Sequence, residues 1–357
     1  MRVLITGNMG YVGPVVVAHL RRRFPQAELI GLDNGMYGSC LTTNGRAPET
    51  RLSMQIFGDV RELPEQLLRG VDAVVHLAAI SNDPIGNRFE KATDEINRHA
   101  SLRLATLAAS AGVKNFVFAS SCSVYGEATG QARREHDALN PLTAYARSKV
   151  MTEQGLAQMD LNGMTTTCLR FATACGMSDR LRLDLVLNDF VACALANHEI
   201  TVLSDGTPWR PLIDVRDMAR AIEWGITREA ANGGSMLIVN VGSDERNHQV
   251  QELAEAVTAA VPGTSVSINQ NAPPDRRSYR VDFSRFRQLA PEHQSQETLR
   301  DSIAGLVAGL KAIGFSDADF RRSAKMIRLN ALSSLIEHDV MSPDLHWRQT
   351  PASSSSD

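Results

Sequence analysis

The stretch VLITGNMGYVG at residues 3–13 decides the fold of this chain. An apolar run that predicts a buried strand leads directly into a turn with three glycines, and Pro14 follows where proline best opens a helix. In such a turn one glycine permits the tight bend, one lets a pyrophosphate approach the backbone, and one packs the helix against the strand. Free N–H groups at the positive end of the helix then face the phosphates. The stretch predicts a dinucleotide site formed by Gly7, Met9, Gly10, Tyr11, Val12 and Gly13.

An acidic residue after the second predicted strand indicates which dinucleotide binds. Asp33 follows Gly13 by 20 residues, and Asn34 comes next. A carboxylate at this place accepts hydrogen bonds from the adenosine ribose and repels a 2′-phosphate, which favours NAD over NADP. Asp33 could instead cap the turn that follows it. Asp59 and Val60 end the third predicted strand, where the acid could bind the adenine amino group or be an ordinary turn residue.

The first half of the chain alternates short apolar runs with amphipathic stretches. The predicted strands are Val3–Thr6, Glu28–Leu32, Met54–Gly58, Ala73–Leu77 and Asn115–Ser120. The predicted helices include Val15–Phe24, Pro64–Leu68 and Thr93–Ala111. Near-continuous apolar strands that alternate with helices indicate a parallel sheet covered on both faces. Right-handed crossovers then predict an α/β fold with a doubly wound parallel sheet of the Rossmann type.

After about Thr173 the pattern changes and predicts a second, smaller unit. Helical stretches become more frequent, and strand-like pieces are scattered at Ile200–Leu203, Leu237–Val241 and Ser265–Ile268. We expect an NAD-binding domain at residues 1–173, with a segment near 209–242 that returns to it. A smaller α/β substrate-binding lobe is expected at 174–340. The last residues, 341–357, end in PASSSSD and are expected to be disordered.

Composition argues against several classes of function. Of the 357 residues 43% are hydrophobic, which is enough for a large core, and a net charge of −3 gives no general attraction to nucleic acid or to an anionic membrane. Five cysteines without a Cys-x-x-Cys pair favour a reducing, cytoplasmic compartment over a disulfide framework or a zinc site. The histidines show no metal-ligand spacing, and no apolar run reaches transmembrane length. The first residues read as a buried strand rather than a signal peptide.

Three polar residues form a candidate catalytic group. Ser121 follows the predicted strand Asn115–Ser120, and Tyr145 and Lys149 are four residues apart, on one face of a helix. A free tyrosine has a pKa of about 10 and is a poor base at neutral pH, but a nearby ammonium favours its phenolate. Tyr145 could then remove a proton from a sugar hydroxyl while hydride leaves for a nicotinamide, with Ser121 hydrogen-bonded to the same oxygen. By itself, a Tyr-x-x-x-Lys pair could also be an exposed helix face.

These three features together resemble the extended short-chain dehydrogenase/reductase family, in its nucleotide-sugar epimerase/dehydratase branch, over residues 1–310. The resemblance implies NAD as cofactor, a nucleotide-diphosphate sugar as substrate, and a catalytic triad of Ser121, Tyr145 and Lys149. It places further cofactor contacts at the strand end with Leu77, Ala78 and Ala79, and at Tyr145 and Lys149, where Lys149 could also hold the nicotinamide ribose.

The resemblance also implies a structural role for Asn97 and a homodimer. In the family, subunits often pair through helices that correspond to those around Thr93–Ala111 and Ala144–Gln158. Both stretches carry more apolar residues than one buried face needs.

Residues that would contact the substrate are implied by the same resemblance. They are Ser81, Asn82, Ser121, Cys122, Ser123, Thr173, Arg210 and Arg277, beside the segment 177–188. Thr173 stands where the family usually has an asparagine. Arg210 and Arg277 would bind the diphosphate, since arginine forks suit phosphate oxygens, although each could instead form a surface ion pair.

One departure discriminates among the reactions of this branch. Dehydratases carry an acidic pair, or a polar residue and a glutamate, after the catalytic serine or threonine, whereas Cys122 and Ser123 stand here. This favours an epimerase acting at C4 through a transient 4-keto sugar. The alternatives are an NAD-dependent dehydrogenase or keto-sugar reductase, then a 4,6-dehydratase, and lastly a dinucleotide sensor without catalysis.

Overall fold

The computed structural model describes residues 1–81, 83–128, 130–269, 271–272 and 277–348. Its centre is a seven-stranded parallel sheet in the order β10-β6-β5-β4-β1-β2-β3. The strands of this sheet are β1 (Arg2–Thr6), β2 (Glu28–Asp33), β3 (Met54–Phe57), β4 (Ala73–His76), β5 (Asn115–Ser121), β6 (Thr165–Phe171) and β10 (Met236–Val241). This confirms the doubly wound α/β fold expected from the sequence.

The strand order creates a crevice at one place. From β1 the chain builds outward through β2 and β3, and it then returns to β4 on the other side of β1. In open parallel sheets ligands bind outside the carboxyl ends of the strands where the order reverses. The ends of β1 and β4 therefore mark the position of the site.

Helices cover both faces of the sheet. They are α1 (Gly13–Arg23), α2 (Asp83–Arg88), α3 (Glu90–Asp94), α4 (Ala100–Ser110), α5 (Ala144–Gln158), α6 (Val186–Asn197), α7 (Val215–Thr227), α8 (Val250–Ala260), α9 (Ser284–Leu289), α10 (Leu299–Ala312) and α11 (Arg328–Glu337). Because successive strand residues point to opposite faces, Ile5 and Val117 pack in the layer of α1 and α7, whereas Leu4 and Phe116 pack in the layer of α4. Burial on both faces explains why these strands read as apolar runs.

Two predicted helices differ from those observed. The stretch predicted at Thr93–Ala111 begins earlier, at Glu90, and a wide π-helical turn at Glu95–His99 separates α3 from α4. The stretch predicted at Pro64–Leu68 is only a short 3₁₀ helix, Glu65–Leu68.

Two smaller sheets form outside the seven-stranded one. One contains β7 (Thr173–Cys175), β9 (Trp209–Asp214) and β11 (Asn247–Gln249), and the other pairs β8 (Glu199–Val202) with β12 (Ser265–Ile268). The segment expected to return near 209–242 is therefore divided, because β9 pairs with the small sheet and only α7 and β10 rejoin the large one.

The predicted strands did not include β6. All seven of its residues are buried, yet it begins with three threonines, which made it look polar in sequence. Its position between β5 and β10 fixes Phe171 opposite Ser121, at the carboxyl end of the sheet.

Residues 341–348 differ from the expected disorder of the tail. Met341 and Leu345 are fully buried, and Arg61 donates to the carbonyl oxygens of Asp344 and Leu345. Trp347 donates its ring N–H to the carbonyl of Asn34 at 2.6 Å. The serine-rich end of the sequence does not indicate these two buried apolar residues or these hydrogen bonds. The rest of the predicted tail, 349–357, lies outside the described residues.

Across the described parts of the chain, no helix has the length and hydropathy of a membrane span. The same residues contain no histidine, cysteine and carboxylate cluster that could hold a metal ion. All five cysteines are buried free thiols.

Candidate active site

The three glycines of the first turn have different surroundings. Gly7 has a φ of 75°, and a Cβ there would lie 2.5 Å from the backbone nitrogen of Ala78. A Cβ at Gly13 would lie 2.1 Å from the carbonyl oxygen of Asn8, inside the turn. At Gly10, the nearest atom to a Cβ would be the carbonyl oxygen of Gly7, at 3.2 Å. Gly7 and Gly13 thus serve the close packing of strand, turn and helix, and Gly10 leaves backbone open to the cleft.

Asp33 is held at the end of β2 by main-chain groups. Its two carboxylate oxygens accept hydrogen bonds from the N–H groups of Met9, at 3.0 Å, and Gly35, at 2.8 Å. Burial raises the pKa of this carboxyl, and the two backbone donors oppose that rise. The carboxylate is oriented before any ligand binds, and each oxygen keeps a lone pair for a ribose hydroxyl.

Asp59 is engaged differently. Its carboxylate accepts from the backbone N–H of Arg61 and pairs with the guanidinium of the same residue at 2.7 Å. Burial raises the pKa of Asp59, but the hydrogen bonds from Arg61 outweigh it and lower the pKa overall. Asp59 and Val60 border the cleft, and the acid serves as the cap of a short 3₁₀ helix.

A single cleft of about 910 Å³ joins these residues to the candidate catalytic group. Its lining includes almost every described residue expected from the sequence: Gly7, Gly10, Tyr11, Val12, Gly13, Asp33, Asn34, Asp59, Val60, Leu77, Ala78, Ala79, Ser81, Ser121, Ser123, Tyr145, Lys149, Thr173, Arg210 and Arg277. We call the part around Gly7–Gly13 and Asp33 the glycine-turn end. The part around Ser81, Arg210 and Arg277 is the arginine end.

Two expected residues do not line the cleft. The side chain of Met9 is buried, and its backbone N–H is already used by Asp33. Cys122 is fully buried with its thiol directed at the carbonyl oxygen of Arg170, at 3.0 Å, so it is not placed for substrate contact. A third, Asn82, lies outside the described residues.

The candidate catalytic side chains meet in the middle of the cleft. Ser121 ends β5, and Thr143 caps α5 by accepting from the N–H of Ala146, which places Tyr145 in the first turn of the helix. Tyr145 is hydrogen-bonded to Ser121. One turn further, Lys149 donates to the carbonyl oxygen of Ala119 at 2.7 Å, and its ammonium lies 5.6 Å from the centre of the Tyr145 ring.

The protonation of this group differs from the expectation. Burial raises the pKa of Tyr145 to about 12, and the hydrogen bond from Ser121, rather than Lys149, is the largest opposing effect. Burial lowers the pKa of Lys149 to about 7, against the pull of Glu153. Lys149 is only 3% exposed, so its charge is itself costly. The pKa of Tyr145 is therefore not lowered as was expected from the lysine.

A buried amide fixes the helix that carries Tyr145 and Lys149. Asn97 lies in the π-helical turn, bonds both backbone groups of Ile80, and donates to Ser148. Its carbonyl oxygen accepts from Thr152 and Ser101. Through these hydrogen bonds Asn97 joins α5 to the loop after β4.

At the arginine end, a hydrogen bond and an ion pair connect segments that are distant in sequence. Arg182 pairs with Asp184 at 2.6 Å and donates to the hydroxyl of Ser81 at 3.1 Å. Arg182 and Asp184 lie in the segment 177–188, which the sequence analysis expected near the sugar. No feature of the sequence distinguished these two residues from their neighbours. Arg277 lies 3.6 Å from Asp83, in the loop that also carries Ser81.

The residues of the glycine-turn end fit an NAD molecule. Gly10 leaves the backbone open, α1 begins at the same turn with proline in its first turn, and Asp33 presents an oriented carboxylate beyond it. The candidate triad lies further along the same cleft.

Comparison with known proteins identifies the family of this chain. Residues 3–242 match the model of the NAD dependent epimerase/dehydratase family. UDP-glucose 4-epimerase of Corynebacterium glutamicum is 28% identical over 72% of this chain and 80% of its own length. The dTDP-glucose 4,6-dehydratase of Streptomyces griseus is 26% identical over 86% of this chain and 93% of its own. The structure of MoeE5 in complex with UDP-glucose and NAD superposes with a TM-score of 0.72 at 25% identity, over 87% of this chain and 99% of that one.

Fold and family together define an NAD-dependent α/β enzyme, whose cleft opens at the switch point of a parallel sheet. The chain belongs to the NAD dependent epimerase/dehydratase family. The two relatives named above are enzymes of nucleotide sugars. The family and the cofactor expected from the sequence are confirmed.

Proposed function

We propose that this protein is a nucleotide-sugar 4-epimerase that works through a transient 4-keto sugar. The observation that carries the proposal is the lack of a free acid beside Ser121. Cys122 is buried and turned away, and Ser123 contributes only a hydroxyl, which is buried without a hydrogen-bond partner among the described residues.

The acids at the arginine end support the same choice. Within the described lining, the carboxylates there are Asp83, Asp184 and Asp189, and each forms an ion pair with an arginine. Elimination of water needs a carboxylic acid that can give its proton to the leaving hydroxyl. A carboxylate engaged by a guanidinium is a poor source of that proton. Proton and hydride exchange at C4, by contrast, needs only a base and the cofactor.

In this proposal the side chains of the protein transfer one proton, at the oxygen of the C4 hydroxyl. Tyr145 removes the proton of the C4 hydroxyl and later returns it, and Ser121 donates a hydrogen bond to the same oxygen. Lys149 holds its ammonium near the phenolate and stabilises it. The glycine-turn end would hold NAD, which would supply an acceptor for the hydride of C4 and a donor for its return to the other face of the sugar. No cofactor is consumed over a cycle.

Arg210 and Arg277 are proposed to hold the diphosphate of the substrate. Arg210 lines the cleft from β9, and Arg277 lines it from the segment that begins after residue 276. Guanidinium forks match phosphate oxygens. With the diphosphate fixed there, the sugar can present either face of C4 to the centre of the cleft.

The test is a panel of UDP-, dTDP-, GDP- and CDP-sugars incubated with the purified enzyme. We expect interconversion of 4-epimers, followed by NMR, with no accumulated absorbance at the band of reduced nicotinamide. Stoichiometric change at that band would favour a dehydrogenase or reductase. A product lighter by one water would show a dehydratase, and the proposal would be abandoned.

A homodimer and a cytoplasmic location complete the proposal. The helices α4 and α5 lie side by side, as pairing with a second copy would require, and five free thiols suit a reducing compartment. Light scattering at micromolar concentration should give a mass of two chains. A mass of one chain would remove the dimer from the proposal.

A further inference from the structure

The last helix of the chain supplies a buried arginine to the cleft. Arg328, the first residue of α11, lines the cleft although only 3% of it is exposed. Its Nη2 donates to the carbonyl oxygen of Arg180 at 2.9 Å, and its guanidinium lies 4.7 Å from the centre of the Tyr37 ring. Its Nη1 is buried and has no hydrogen-bond partner in the described part of the chain. One donor of this guanidinium is therefore still available.

The charge of Arg328 is also uncompensated. Arg182 and Arg321 line the same cleft, and each pairs with an aspartate, whereas no carboxylate of the described residues forms an ion pair with Arg328. Burial lowers the pKa of Arg328, and Arg182 adds to this, although the neighbouring Cys40 and Tyr37 oppose it in part. A buried cation without a counter-ion is costly, and a bound anion relieves that cost.

The position of Arg328 indicates which anion it serves. Tyr37, under its guanidinium, follows Asp33 by four residues and lines the same cleft. The segment that carries Arg180 is tied to the glycine turn, because Ser178 donates to the carbonyl oxygen of Tyr11 at 2.6 Å. The chain after α11 continues to the same end, where Trp347 donates to the carbonyl of Asn34.

We propose that Arg328 is a cofactor-binding residue that donates its free Nη1 to the pyrophosphate of NAD. The C-terminal segment 328–348 thereby adds a contact to the cofactor from outside residues 3–242, the part that matches the family model. The guanidinium gains its missing counter-charge only when NAD is bound, so the contact slows release of the cofactor. This inference concerns the cofactor alone and holds for any of the reactions considered above.

The test measures cofactor release rather than catalysis. Protein loaded with NAD is mixed with an excess of fluorescent etheno-NAD, and the exchange is followed by fluorescence for the wild type, Arg328→Met and Arg322→Met. We expect Arg328→Met to exchange roughly 10- to 100-fold faster, the effect of losing one charge-assisted hydrogen bond. Arg322→Met, which changes an exposed arginine six residues before Arg328, should exchange as the wild type does. Exchange of Arg328→Met at the wild-type rate would overturn the proposal.

Equilibrium titrations separate the pyrophosphate of NAD from other ligands. Arg328→Met should weaken NAD binding and leave binding of adenosine, which has no phosphate, unchanged. Equal weakening for adenosine would mean that Arg328 only shapes the pocket, and the proposal would fail. UDP should bind NAD-loaded wild type and variant equally, and a loss confined to UDP would assign Arg328 to the substrate instead. If Arg328→Met does not fold, Arg328→Gln replaces it with the same expected results.

Discussion

The glycine-turn end and the arginine end of the cleft are built in different ways. At the first, main-chain geometry decides the shape, since Gly7 and Gly13 have no room for a Cβ and two backbone N–H groups orient Asp33. At the second, side chains from distant segments meet as ion pairs, such as Arg277 with Asp83. The first end therefore requires particular residue types at short, fixed spacing. The second can be rebuilt by exchanging side chains on an unchanged backbone.

The difference suggests how each end responds to substitution. Changes at the glycine-turn end should affect NAD alone, and changes at the arginine end the sugar nucleotide alone. Only the group between them, Ser121, Tyr145 and Lys149, should affect the chemical step. The following predictions test this separation.

The largest effect is expected for Tyr145→Phe, between the two ends. Loss of the hydroxyl removes the proposed base, and turnover should fall by roughly 10²- to 10⁴-fold. The ring remains, so the NAD content of the purified protein should be nearly that of the wild type. The two quantities are measured by a coupled assay and by analysis of nucleotide released on denaturation. Tyr279→Phe, another buried tyrosine that lines the cleft, is the matched control and should keep its turnover. Full activity of Tyr145→Phe would remove the tyrosine from the mechanism.

At the glycine-turn end, Asp33→Asn should weaken NAD binding by roughly 10- to 100-fold. The substitution keeps the shape but loses hydrogen bonds from the ribose to a charged acceptor, worth about 1.5–3 kcal/mol. Discrimination against NADP should fall at the same time, and titration calorimetry measures both. Asp59→Asn is the control, because its carboxylate is already taken by Arg61 and its loss should mainly lower stability. Equal losses of NAD affinity in the two variants would contradict the assigned roles.

At the arginine end, Arg210→Ala should raise the KM for the sugar nucleotide about 10-fold or more, through loss of a charge-assisted contact to the diphosphate. The kcat should change far less, since the diphosphate lies away from C4. NAD affinity should be untouched, which distinguishes this variant from Asp33→Asn. Arg300→Ala, an exposed arginine that does not line the cleft, provides the control for steady-state kinetics. A fall in kcat with an unchanged KM would place Arg210 elsewhere in the mechanism.

The smallest effect concerns stability and pH. The pKa of Lys149 is lowered to about 7 in the folded protein, below its value near 10.4 in an unfolded chain. Between these values the unfolded state binds more protons, so the free energy of unfolding should rise with pH. The slope from this one group is at most about 1.4 kcal/mol per pH unit between pH 7 and 9.5.

Urea denaturation of nucleotide-free wild type and Lys149→Met over this pH range measures the contribution. The difference in unfolding free energy between the two should grow with pH, because methionine has no proton to lose. A difference that stays flat would mean that Lys149 remains charged in the folded protein.

Particular elements show where prediction from sequence succeeded. Strands β1, β2 and β5 were found within one or two residues of their ends, because burial on both faces makes them uniformly apolar. β6 was missed for the opposite reason, since its three threonines are buried as completely as its leucine. Residues 341–348 were expected to be disordered, yet Met341 and Leu345 are core residues.

The candidate site divides in the same way. The glycine turn and Asp33 were predicted directly from the residues, and Leu77–Ala79 were predicted from the resemblance. All of them lie at the ends of neighbouring strands. Cys122 was placed on the substrate by its position in sequence, but the 3₁₀ turn after β5 directs its thiol to the carbonyl of Arg170. No sequence signal marked Arg328, which reaches the cleft from the far end of the chain.

By itself, the sequence determined the α/β sheet, the dinucleotide turn, the preference for NAD and the family. These depend on local backbone conformation and on short-range periodicity, which the order of residues encodes directly. Only the tertiary structure decided which arginines pair with aspartates, that burial raises the pKa of Tyr145 and lowers that of Lys149, and that Arg328 keeps a free donor in the cleft. Desolvation and pairing depend on the atoms packed around a group, and those atoms come from segments that can be hundreds of residues apart.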